Sequence, residues 1–133
     1  MPIQQAIPAL PVRRISESVA FYNEKFGFAA VHVEASFAVV KRDDVELHLW
    51  LANDEGWRQR AGTSAVQSGA ESFIAGTASC RIRVTDIDAL HAELAPHGVI
   101  HPNGALASRP WGDRDFATLD AERNLITFFQ RDA

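Results

Sequence analysis

The sequence predicts an α+β fold of two βαβββ modules, and three observations predict it. The run VRRISESVAFYNEKFGF from Val12 reads as strand end, helix and glycine stop, and VTDIDALHAELAPHGV from Val84 repeats that order. Each run is followed by short apolar segments with the two-residue alternation of strands. The chain has 133 residues, 47% of them hydrophobic and 23% charged, which suits one ordinary domain able to bury a core without disulfides.

The elements follow in order. In the first helix Ser16 is the expected N-cap, Val19, Tyr22 and Phe26 fall on one face, and Gly27 ends it. Strands are expected at 29 to 34, 36 to 41 and 45 to 51, which closes a first module of about residues 1–51. Residues 52–78 carry no strand pattern and form either a linker or a flap over a cleft, with a short helix near Asp54 to Arg60 and a flexible Gly/Ser-rich middle. The second module, about 79–133, opens with a strand. Asp86 caps its helix, Ile87, Leu90 and Leu94 share a face, and Pro96 with Gly98 stops it. Strands are expected at 99 to 101, 114 to 119 and 124 to 130.

Alternation divides each strand into two faces. Val45, Leu47, Leu49 and Leu51 form an apolar face against Glu46, His48 and Trp50, and Cys80, Ile82 and Val84 oppose Ser79, Arg81 and Arg83. Ile126 and Phe128 oppose Leu125, Thr127 and Phe129. With helices on the apolar sides, the other sides carry Glu, His, Trp, Arg, Ser and Thr. Those types line either a solvated sheet surface or a ligand groove. Trp50, Trp111, Phe37 and Phe129 make the groove the favoured reading, because so large an aromatic exposure marks an interface or binding cleft.

Composition excludes several classes. The net charge of −4 argues against a nucleic-acid binder. No apolar run has the length of a membrane span, and the start lacks the pattern of a signal peptide, so a soluble cytoplasmic protein is expected. The single Cys80 alternates onto an apolar face as an inert thiol, and no nucleophile elbow, phosphate loop or dinucleotide fingerprint is present. His32, His91, His97 and His101 have no metal spacing and read as solvated residues.

The segments AIPALPV, SVAFYNEKFGF, FAVVKRDDVELHL, PWGDRDF and NLITFF together resemble the bleomycin-resistance branch of the vicinal-oxygen-chelate superfamily, which also contains glyoxalases and extradiol dioxygenases. The resemblance covers nearly the whole chain. It implies curved mixed sheets around a cleft and a homodimer that exchanges its N-terminal strand, with Pro8 at the hinge. The superfamily's metal enzymes carry ligands at positions that correspond here to Ile7, His48, Ser79 and Thr127. Only His48 can ligate, and Glu46 beside it brings the number to two, fewer than the three or so a catalytic divalent ion needs. No metal and no cofactor are therefore expected.

What the resemblance implies is a non-enzymatic protein that sequesters a bleomycin-type antibiotic, metal-free or metal-loaded. The expected ligand-binding residues are Trp111, Phe37, His32, Trp50, His48, Arg81 and Phe129. A flat bithiazole would stack on the rings, and a cationic tail would lie near carboxylates such as Glu34 and Asp43. His32 stands where the family tends to carry an aromatic, Trp50 replaces a small serine of some members, and Arg81 replaces another aromatic. The alternatives are a metal-dependent lyase, thiol transferase or dioxygenase of the same fold, or a binder of another aromatic small molecule.

Overall fold

In the computed structural model, which describes residues 1–53, 56–62 and 65–131, two four-stranded sheets share one core. The first module contains β1 (Ala9–Val12), α1 (Ile15–Phe26), β2 (Ala29–Glu34), β3 (Phe37–Arg42) and β4 (Val45–Leu51). The second contains β5 (Ser79–Arg83), α2 (Ile87–Leu94), β6 (Ala107–Ser108), β7 (Asp113–Leu119) and β8 (Leu125–Arg131). The sheet orders are β1-β4-β3-β2 and β5-β8-β7-β6, so each module pairs its first strand in parallel with its last and the remainder antiparallel. The expected double βαβββ pattern is present.

Three local expectations need correction. Helix α1 begins at Ile15, with Arg14 as an N-cap that makes no side-chain bond, and Ser16 lies inside the first turn. Starting there puts Ile15, Tyr22 and Phe26 into the core, and that burial outweighs a hydroxyl cap worth about 1 kcal/mol. Residues 99 to 101 do not form a strand. Only Ile100 bridges to Thr118, while Asn103 N–H donates to His101 Nδ1 at 2.9 Å and turns the chain before it pairs again as β6. In the connecting segment Gly56–Gln59 is one turn of 3-10 helix, and Asp54 lies outside the described residues. Within its Gly/Ser-rich part, Gly69–Ser72 is a second 3-10 turn closed by a capping box between Ser68 and Glu71.

The helix-side faces of both sheets and the inner faces of both helices belong to one apolar cluster, with Phe26 of α1 6.1 Å from Phe128 of β8. A buried polar network joins the modules beside it. Tyr22 Oη donates to Asp120 Oδ2 at 2.7 Å, and Asn124 Nδ2 donates to the Pro11 carbonyl at 2.9 Å and to Asp120 Oδ2 at 3.1 Å. Asn124 Oδ1 accepts the backbone N–H groups of Gly76 and Ala78, so one side chain ties β1, the connecting segment and the β7–β8 turn. Burial, reinforced by the neighbouring Asp120 carboxylate, holds the Tyr22 phenol well above its ordinary range, so it remains a donor at neutral pH.

Candidate functional site

Because both helix-side faces enter the same core, the opposite face of each sheet lies away from it. Strand register fixes which residues those open faces carry. On the first sheet, pairing aligns Ala9, His48, Val39 and His32 in one row and Pro11, Trp50, Phe37 and Glu34 in the next. The irregularity between Ala30 and His32 matters here, because skipping Val31 is what brings His32 opposite Val39. The rows make a continuous aromatic surface. Phe37 lies 4.6 Å from Trp50, 5.1 Å edge-on from His48 and 6.2 Å from His32. Each imidazole has a carboxylate partner two residues away, His48 with Glu46 at 2.6 Å and His32 with Glu34 at 2.8 Å.

The open face of the second sheet is built from charge. Asp113 and Asp115 on β7 are 6% and 5% exposed, and such burial requires cationic partners. Arg81 Nη2 donates to Asp113 at 3.2 Å, Arg109 Nε donates to Asp115 at 2.9 Å, and Arg131 Nε lies 3.6 Å from Asp113. Arg81 and Arg131 also cover the Phe129 ring at 4.7 and 5.2 Å from its centroid. Trp111, in the turn before β7, is 67% exposed and anchored at one point, its indole N–H donating to Asp113 at 3.2 Å. The sequence singled out Trp111, Arg81 and Phe129, and the structure brings these three together. Asp113, Asp115, Arg109 and Arg131 were missed, although a D-R-D alternation beginning at 113 rather than 114 would have placed both aspartates on one face.

The seven residues expected to bind ligand thus fall into two groups, His32, Phe37, His48 and Trp50 on one sheet and Arg81, Trp111 and Phe129 on the other. Among the described residues, none of their hydrogen bonds, ion pairs or ring contacts joins one group to the other. One further ring had no signal in the sequence because its segment has no period. Phe73, at the end of the 3-10 turn Gly69–Ser72, stacks on Trp50 with centroids 6.3 Å apart and planes 22° from parallel. The connecting segment therefore reaches over the edge of the aromatic surface.

The donor set does not suit a catalytic metal. The β1 residue beside His48 is Ala9, because Ile7 precedes the strand, so the expected first position shifts and still offers no ligand. His48 Nε2 is engaged by Glu46, and Ser79 and Thr127 lie on the other sheet. Among the described residues no three His, Cys, Asp or Glu side chains converge. Cys80 faces inward, where burial pushes its thiol up to about 11, out of reach of the thiolate chemistry a nucleophile needs. The arrangement can stack flat rings, accept from donors at Glu34 and Glu46, and offer guanidinium groups.

Residues 4–128 match the model of the glyoxalase/bleomycin resistance protein/dioxygenase superfamily. The chain is 54% identical over 127 residues, 96% of each chain, to proteins named bleomycin resistance protein from Geobacillus stearothermophilus and Staphylococcus aureus. Its fold is similar to the crystal structure of a bleomycin-binding protein from bleomycin-producing Streptomyces verticillus in complex with copper(II)-bleomycin. That match has a TM-score of 0.72 and 24% identity over 99% of both chains. A double βαβββ architecture, two uncovered sheet faces and these similarities lead to one assignment: the chain belongs to the glyoxalase/bleomycin resistance protein/dioxygenase superfamily.

Proposed function

We propose that the protein binds and sequesters a bleomycin-type antibiotic, metal-free or metal-loaded, and so confers resistance without transforming the drug. The observation that carries this reading is the cluster His32, Phe37, His48 and Trp50, a set of rings from two neighbouring rows of one sheet face with open sides. Such a surface suits a flat heteroaromatic ligand, because ring faces stack with about 0.5 to 1.5 kcal/mol beyond the area they bury. Glu34 and Glu46 at its border suit a cationic tail. The relatives at 54% identity bear the corresponding name, which supports the same ligand class here.

A homodimer completes the site in this reading. The aromatic face and the Trp111, Arg81 and Phe129 face lie on separate sheets of one chain, and an isologous pair would bring one face of each subunit opposite the other kind on its partner. Residues 1 to 7 are exposed and precede β1, in keeping with an N-terminal segment that packs on a second copy through the Pro8 hinge. Sedimentation equilibrium should give a dimer at micromolar concentration. Isothermal titration with metal-free and copper-loaded bleomycin should give saturable binding at one drug per subunit, and a flat titration for both forms would overturn the function.

A further inference from the structure

Phe73 combines two features that pull against each other. Its backbone sits at φ 48°, ψ 51°, where the Cβ of an L-residue crowds the following carbonyl, a place that glycine fills without strain. Yet the turn that imposes this conformation is firmly built. Asn53 N–H donates to the Phe73 carbonyl at 2.8 Å and Phe73 N–H to the Ala70 carbonyl at 3.2 Å. Glu71 Oε2 accepts the backbone N–H groups of Ser68 at 2.6 Å and Gln67 at 2.8 Å, bonds that hold its carboxyl below the usual carboxylate range. Every one of those bonds would serve a glycine at position 73 equally well. The strain is therefore carried for the side chain.

Among the described residues its ring contact is with Trp50, to which it lies nearly parallel. Trp50 also packs on its cross-strand neighbour Phe37 at 4.6 Å, so one jaw is fixed to the sheet while the other rides on the connecting segment. A flat ring held in van der Waals contact on both faces needs about 7 Å between its neighbours, twice a contact of roughly 3.5 Å. The two rings now stack directly, with centroids 6.3 Å apart and planes 22° from parallel. An outward swing of the turn along the ring normal opens that spacing, the kind of displacement a surface loop makes.

We propose that Phe73 and Trp50 form a clamp that takes a flat heteroaromatic ring of the ligand between them, making Phe73 a specificity-determining residue of the binding surface. The proposal rests on the antibiotic-binding reading and goes beyond it, because it assigns the ring that closes the site to the segment joining the modules. It also accounts for a strained phenylalanine, since an aromatic face cannot be supplied by the residue the backbone prefers.

The test compares the full-length protein with Phe73→Gly and Phe73→Leu by calorimetric titration with metal-free bleomycin, alongside thermal melting. Phe73→Gly should melt at or above the temperature of the unaltered protein, because glycine relieves the strain. It should bind bleomycin roughly tenfold or more weakly, with faster release. Phe73→Leu, which keeps bulk but has no π face, should also bind several-fold more weakly. Unchanged binding by either variant overturns the clamp, as does a Phe73→Gly protein that melts far below the unaltered one, since the ring would then be packing. Failure of the unaltered protein to bind bleomycin is a different result and removes the function itself.

Discussion

Replacing Asn124 by alanine tests whether the two modules are held together by one buried amide. The side chain is 0% exposed and makes four hydrogen bonds, two donated to Pro11 O and Asp120 Oδ2 and two accepted from Gly76 and Ala78. At about 1 kcal/mol net for each, their loss comes to about 4 kcal/mol. Gly76 is exposed, so water replaces its acceptor, and the expected loss falls to about 3 kcal/mol. Against a total stability of about 5 to 15 kcal/mol this is a large change. Urea denaturation should show a lower midpoint with an unchanged slope. The near-isosteric Asn124→Asp separates hydrogen bonding from volume. It keeps acceptors for Gly76 and Ala78 but sets a second carboxylate 3.1 Å from Asp120 and 2.9 Å from the Pro11 carbonyl. Those neighbours raise the folded-state pKa of the introduced carboxyl above its unfolded value of about 3.9. A raised folded pKa means the variant is best preserved below about pH 4 and loses stability as pH rises through the folded value. A midpoint for Asn124→Ala within about 1 kcal/mol of the unaltered protein would refute the reasoning, as would a pH-independent deficit for Asn124→Asp.

Other consequences are equally direct. Trp111→Ala should weaken bleomycin binding on the order of thirtyfold while changing stability by less than about 1 kcal/mol, because the ring is mostly exposed and held by one hydrogen bond; calorimetry and melting check both halves. Gly104→Ala would set its Cβ 2.4 Å from that of Ala117 and 3.0 Å from the Ala117 nitrogen, an overlap expected to cost about 2 kcal/mol; adding Ala117→Gly should recover much of it in denaturant titrations. Stability should be level from about pH 6 to about pH 9 and then fall. Burial raises the Cys80 thiol from 9.0 to about 11 and the Tyr22 phenol well above 10.0, and a raised folded pKa gives stability that is whole below the unfolded value and lost above it. Cys80→Ala should move the onset of that decline from about pH 9 to about pH 10 in denaturant midpoints measured against pH.

The sequence determined the architecture and the two-faced character of the sheets, because both depend on periodicity, which is a local property. The 45 to 51 run shows it: alternate residues had to separate, and Leu47 and Leu49 are buried while Glu46, His48 and Trp50 lie on the other face. The repeated order of elements, the glycine stops at Gly27 and Gly98 and the Asp86 cap were legible for the same reason. Tertiary structure decided what depends on partners far along the chain. Ile15 starts its helix early because the core claims it, and the turn at 101 to 104 delays the second strand of the second module. Asn124, in a turn that reads as merely polar, becomes the joint between modules only when Pro11, 113 residues earlier, lies against it. His32 reaches the aromatic row through an irregularity in pairing, and Phe73 reaches it from a segment with no pattern at all. Alternation assigns a residue to a face, but the neighbours on that face come from other strands, and register, bulges and loop paths set by the whole fold choose them.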